Sequence, residues 1–222
     1  MNKILKELPK LVLFDLDGTL IEFHRDYLFS QTHFLLQEMG FSEVAQVVLN
    51  EAFAEFDYFR FVAAESRDAF IERFWSLFDW DNFPEPKPLD GVCDTLSTLV
   101  SANIDVSIVT SRFMAVEDLE SMLRQTGILQ YVSRIRARPG DHVHWTDKRG
   151  LISEACQAFG IAPSQAVMVG DIPTDISSAR DVGIGTSIAV LSGGVRRDVL
   201  ELARPDLVLE SVKDLSSAMG LV

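Results

Sequence analysis

The stretch KLVLFDLDGTLIEF (residues 10–23) carries four apolar residues, Leu11, Val12, Leu13 and Phe14, straight into two aspartates, Asp15 and Asp17, beside Gly18 and Thr19. A short apolar run without polar alternation reads as a strand buried on both faces, the kind found in parallel sheets. Residues two apart in an extended chain point the same way, so Asp15 and Asp17 are expected to project to one side of the strand end while Gly18 turns the chain. Two carboxylates that close repel, and one stays protonated unless a cation lies beside them. A hard divalent ion such as Mg2+ suits them, because it takes oxygen ligands and keeps positions for water and phosphate. Taken alone, the same four letters DLDG also describe an ordinary Asp-Gly turn.

Further along, apolar β-rich runs at 104–110, 166–170, 186–191 and 206–210, with a weaker one at 131–137, alternate with helical patterns over 90–103, 115–127, 148–160 and 174–183. Strand and helix in alternation predict βαβ units and a doubly wound, mostly parallel α/β sheet, whose ligand site lies at the carboxyl ends of the strands. One region departs from this pattern. Between residues 21 and 88 no strand is legible, and helical segments can be drawn near 26–39, 42–58 and 66–79. Twelve of the fifteen phenylalanines fall there, with Trp75 and Trp80, and FPEPKPLDG (83–91) closes it with three prolines and a turn. The expected organisation is a core of 1–20 and 89–222 with an all-helical insert of 21–88. Its aromatics read either as the insert's own core or as an apolar wall facing a substrate or partner.

Two other strand ends and one helix start carry polar groups. SIVTSR places Thr110 and Ser111 after a strand and at an expected helix start, where hydroxyls and backbone N–H groups favour an anion. MVGDIPTDISSA places Gly170, Asp171 and Asp175 after another, and Lys148 in HWTDKRG precedes a helix. Individually these read as caps, turns and a solvated lysine. Together they put two acidic pairs, a hydroxyl and a lysine where a doubly wound sheet holds its ligand.

In that order the residues resemble the four motifs of the haloacid dehalogenase superfamily: DLDGT (15–19), Thr110, Lys148 and GDIPTD (170–175). The continuation ISSARDVGIGTSIAVLSGG and the helical insert are similar to the phosphoglycolate-phosphatase-like branch with its cap domain. The resemblance implies Asp15 as nucleophile forming an aspartyl-phosphate, and Asp17 as general acid and then base. It implies Thr110, Ser111 and Lys148 around the phosphoryl group. Mg2+ would be held by Asp15, the Asp17 carbonyl and Asp171, with Asp175 in support. An aspartate two residues after the nucleophile separates phosphoryl transfer from dehalogenation, since a halide leaves without a proton. One departure stands out, Arg149 in place of the branch's proline after Lys148. Arg112, His24, Arg25 and Arg60 are candidate substrate contacts, and His142 and His144 read as a surface loop or a substrate rim.

The function expected is a phosphatase of a small phosphorylated metabolite, phosphoglycolate being the nearest named one. A β-phosphoglucomutase-like phosphomutase and a non-catalytic binding protein using the aromatic insert are the alternatives. A formal net charge of −13 argues against nucleic acid as a partner. No apolar run approaches the roughly 20 residues of a membrane span, and no leader is legible, so a cytoplasmic location is expected. The two cysteines, Cys93 and Cys156, lie in helical segments without metal spacing and read as buried free thiols. Oligomeric state has no signal in the sequence.

Overall fold

The computed structural model of the chain describes residues 7–41, 46–79, 82–138 and 146–221. Its described strands form one sheet: β1 (Leu11–Phe14), β2 (Asp105–Val109), β3 (Arg134–Arg136), β4 (Ala166–Gly170), β5 (Thr186–Val190) and β6 (Leu207–Leu209). They lie in the order β3-β2-β1-β4-β5-β6, every pair parallel. The doubly wound α/β class expected from the alternation is therefore the one observed.

All four β1 side chains are fully buried because each face of the sheet has its own cover. Val12 and Phe14 enter the core supplied by α4 (Val92–Ser101), α5 (Val116–Thr126) and α9 (Leu215–Ala218). Leu11 and Leu13 enter the opposite one, supplied by α6 (Arg149–Phe159) and α7 (Pro173–Val182). That is why LVLF shows no alternation: each residue is worth about 1.5–3 kcal/mol of burial whichever way it points. The chain runs outward from β1 through β2 to β3, then returns to place β4 on β1's other side. The strand order thus reverses between β1 and β4, opening a crevice at their carboxyl ends.

The insert is helical, with α1 (Arg25–Glu38), α2 (Gln46–Ala54) and α3 (Arg67–Leu77). Its own core is built from Leu35, Leu36, Phe59, Phe70, Phe74 and neighbours. Rings meet edge to face, Phe59 on Phe74 at 5.3 Å and Phe41 on Phe70 at 5.4 Å. The two chain crossings into this cap run side by side. Ile21 pairs antiparallel with Pro88, Glu22 N–H donates to the Lys87 carbonyl at 2.8 Å, and Leu89 N–H to the Leu20 carbonyl at 3.0 Å.

Several expectations shift. The helix after β2 begins at Val116, so Thr110 and Ser111 sit in a loop rather than at a helix start. The second cap helix ends at Ala54, and Phe56 takes a left-handed φ of 56° just beyond it. Two short helices, α8 (Arg197–Leu202) and α9, have too few turns to leave a periodic signal. Cys156 is buried, whereas Cys93 is only half-buried, and both are free thiols. His142, His144 and Trp80 lie outside the described residues.

Candidate active site

The β1 ladder runs one residue past Phe14, since Asp15 N–H donates to the Val169 carbonyl at 2.9 Å. Its side chain therefore leaves the sheet at the point where the strand order reverses. Next door, β4 ends at Gly170 and Asp171 follows. Pro173 then opens α7, where its missing N–H is no loss. The first turn brings Asp175 back beneath the site, and its Oδ2 accepts from Ile172 N–H at 3.2 Å. A side chain on Gly170 would run into the Asp175 carboxyl, which explains a glycine at that strand end.

Lys148, the residue before α6, is 1% exposed. Its Nζ stands 2.7 Å from Asp15 Oδ1 and 2.7 Å from Asp175 Oδ1. One oxygen each of Asp15, Asp171 and Asp175 lies within 4.8 Å of the other two. Thr19, fully buried, donates its hydroxyl to Asp171 Oδ1 at 3.0 Å. Against Asp171 Oδ2 lie two glycines: a Cβ on Gly18 would come within 2.5 Å of it, and one on Gly193 would overlap it. Ser192 ties those loops together, its hydroxyl donating to the Gly18 carbonyl at 2.6 Å.

Burial dominates the electrostatics of the cluster. It raises the Asp15 carboxyl to about 7, ahead of the opposing Lys148 charge, and Asp175 adds to the rise. Asp171 is pushed well above the usual carboxylate range by burial and then by Asp15 and Asp175. Burial also disfavours the Lys148 ammonium, but the Asp15 and Asp175 charges outweigh it and hold that group above its ordinary value. Three buried carboxylates thus face one buried ammonium. A divalent cation would complement this excess of negative charge, and an all-oxygen donor set suits a hard ion.

Asp17 follows a different course from Asp15. Both its oxygens are taken by Arg112, Nε to Oδ2 at 2.7 Å and Nη2 to Oδ1 at 2.6 Å, a two-pronged charged contact. Arg112 is itself 8% exposed, lies 5.1 Å over the Phe83 ring, and its N–H donates to Thr110 Oγ1 at 3.2 Å. The paired aspartates of the first motif therefore separate their carboxylates, one to Lys148 and one to Arg112. Thr110 is buried beside them, and Ser111 Oγ is buried without a hydrogen-bond partner among the described residues.

A family model described as haloacid dehalogenase-like hydrolase matches residues 12–190. The chain belongs to that family. Among curated relatives of this hydrolase, a phosphoglycolate phosphatase from Agrobacterium fabrum is 27% identical, with 96% of this chain and 94% of the relative covered. The pyrophosphatase PpaX of Oceanobacillus iheyensis is 29% identical, with 95% and 97% covered. A solved structure described as a predicted phosphatase from Clostridium acetobutylicum superposes with a TM-score of 0.77 at 22% identity, covering 97% of this chain and all of that one, 100%. Family and relatives together make this hydrolase an enzyme of the phosphatase type.

The remaining candidates of the hydrolase are spread more widely. Arg25 is exposed at the start of α1 and donates to the Gly193 carbonyl at 3.3 Å, on the cluster's edge. His24 packs edge-on against Phe83 at 5.5 Å, with a buried Nε2 that has no hydrogen-bond partner among the described residues. Arg60 is engaged by Glu55 at 2.6 Å and Glu51 at 3.3 Å, and neither it, Arg25 nor His24 lines the cavity over Asp15. Sequence reasoning missed Thr19 and Gly193 as supports of Asp171. It also missed Tyr58, whose phenol is pushed up by burial and by the charges of Asp171, Asp15 and Asp175. Thr19 stood inside the quoted motif, but its reach to a residue 152 positions away leaves no local signal. No described helix is long and apolar enough to cross a membrane.

Proposed function

We propose that this hydrolase is a Mg2+-dependent phosphatase that cleaves a small phosphate monoester through an aspartyl-phosphate, with residues 21–88 as a cap closing over a core of 1–20 and 89–222. The observation that carries the reading is Lys148, buried between Asp15 and Asp175 within a cluster of three carboxylates at the β1/β4 crevice. In the first step an Asp15 oxygen attacks phosphorus, the bond from phosphorus to the ester oxygen breaks, and the departing alkoxide takes a proton from Asp17. In the second, Asp17 removes a proton from water, the resulting hydroxide attacks the same phosphorus, and Asp15 is released. The Arg112 fork covers both oxygens of Asp17, so at least one must come free for either transfer.

Thr110 Oγ1 would hold phosphoryl oxygens together with the Ser111 hydroxyl, which has no hydrogen-bond partner among the described residues, and Lys148 would balance charge on Asp15 as it attacks. Asp15, Asp171 and the Asp17 carbonyl, backed by Asp175, would hold Mg2+, which supplies neutralisation of the phosphoryl oxygens. Phosphoglycolate and pyrophosphate enter the test through the names of the relatives. The experiment is phosphate release from a panel of metabolite phosphates with Mg2+, with chelator, and with Asp15→Asn. Release that needs Mg2+ and vanishes in the variant is expected; release that survives either treatment refutes the mechanism.

A further inference from the structure

The cavity over Asp15 holds about 120 Å³ and reaches from the carboxylate cluster up into the cap. Its floor is polar, formed by Asp15, Asp17, Thr110, Lys148 and Asp171. Its walls are rings: Phe23, Phe53, Tyr58, Trp75, Phe83 and Phe113. The enclosure spans both parts of the molecule, since Trp75 of α3 meets Phe113 of the loop after β2 at 5.4 Å. Phe53 of α2 meets Tyr58 at 4.4 Å and Phe23 at 6.4 Å on the facing side.

Charge in this wall is as informative as shape. Among the described residues lining the cavity, the cationic side chains are Lys148 and Arg112. Lys148 is held between Asp15 and Asp175, and Arg112 has its fork closed on Asp17. A second anionic group on the substrate, whether carboxylate or phosphate, would be stripped of water against aromatic rings with no further cation among the described lining residues, since Arg25 lies outside the wall and is held to the Gly193 carbonyl, which is strongly unfavourable. A sugar would fare little better, because among the described residues the polar groups lining the cavity above the floor and its neighbours Ser111 and Arg112 are the side chains of Thr32 and Tyr58 and the indole N–H of Trp75. An apolar cavity of about 150 Å³ accommodates benzene, so the present one, whose floor must also take the phosphoryl group, leaves its apolar part room for one small group, a single ring at the most.

We propose that the site selects phosphate monoesters whose alcohol is one small apolar group, no larger than a ring, and disfavours acids, sugars and diphosphates. The inference rests on the phosphate-ester reading of the same site and concerns the leaving group alone. Benzyl and ethyl alcohol are similar in acidity, so the two phosphates differ in what the cavity holds and little in the bond that breaks.

The test is kcat/KM of the full chain with Mg2+ for benzyl phosphate, ethyl phosphate, phosphoglycolate and glucose 6-phosphate, with acetyl phosphate as an activated control. Benzyl phosphate is expected to exceed each of the other three esters by about tenfold or more, the range a hydrophobic pocket supplies. Phe113→Ala, in a surface loop, is expected to cut the benzyl-to-ethyl ratio several-fold, and an unchanged ratio would overturn the cavity wall as its source. Phosphoglycolate or glucose 6-phosphate matching benzyl phosphate would overturn the inference and leave the phosphatase reading standing. Failure with every compound, acetyl phosphate included, would instead remove the phosphatase reading and this inference with it.

Discussion

Lys148 changes most between sequence and structure. A lysine ahead of a helix is ordinarily a solvated charge, yet this one is buried to 1% exposure and balances two aspartates. Lys148→Met would leave those carboxylates without their cation, and the metal-free protein should lose about 3–5 kcal/mol in urea unfolding. A loss below about 1 kcal/mol would show that the cluster does not depend on it. Asp17→Asn tests the proposed proton donor. It should depress turnover far more for ethyl phosphate than for p-nitrophenyl phosphate, whose alcohol leaves without help, and an equal loss on both would count against that role. The four motif positions were legible as residue types, three at strand ends and Lys148 ahead of a helix. The Arg112 fork on Asp17 was not, because it joins residues 95 positions apart and turns on which carboxylate a guanidinium can reach.

Elements bring these residues together, and loops hold them in place. The loop after β5 presses Gly193 onto Asp171 while Ser192 fastens it to Gly18. Gly193→Ala would push a methyl into the Asp171 carboxylate, and Mg2+ affinity is expected to fall about 10–100-fold, the usual effect of disturbing groups that orient a metal ligand. The Mg2+ dependence of phosphate release reads this directly, and an unchanged midpoint would mean that the loop can retreat. Strands β1, β4 and β5 were legible because apolar runs of four or five residues bounded by turn residues have few other readings. The helical spacing of 115–127 matches α5, but Thr110 and Ser111 read as a helix start for a physical reason as well: Thr-Ser after a strand has the chemistry of a cap, whereas here a loop runs on to Ala115 before the chain coils.

For the whole molecule, the acid-rich centre couples stability to pH in an unusual sense. The Asp15 carboxyl has a value of 3.8 when unfolded and about 7 when folded, so between those limits the native state holds the extra proton. Stability of the metal-free protein from this group therefore falls as pH rises from about 4 to about 7, opposite to the common effect of paired carboxylates. Asp15→Asn should gain stability relative to the parent across that window and level off above it, in urea titrations with chelator at pH 5, 6, 7 and 8. A difference independent of pH would contradict the raised carboxyl. Mg2+ should reverse the trend in the parent, because it binds the ionised cluster and stabilises the state that binds it.

Local chemistry, written in the sequence, determined the strand character of LVLF, the turn after DLD, the α/β alternation and the helical character of an aromatic-rich insert. Each rests on a pattern of a few neighbouring residues: apolar runs, Gly and Pro punctuation, helical spacing. Only the tertiary structure decided that Lys148 is buried, that Thr19 and Gly193 shape Asp171, that Asp17 is held by Arg112, and that the insert's rings form the walls of a cavity as well as a core. Those outcomes depend on which side chains meet across the β1/β4 crevice and across the cap. Such contacts are fixed by the packing of distant segments, for which a single sequence carries no local periodicity.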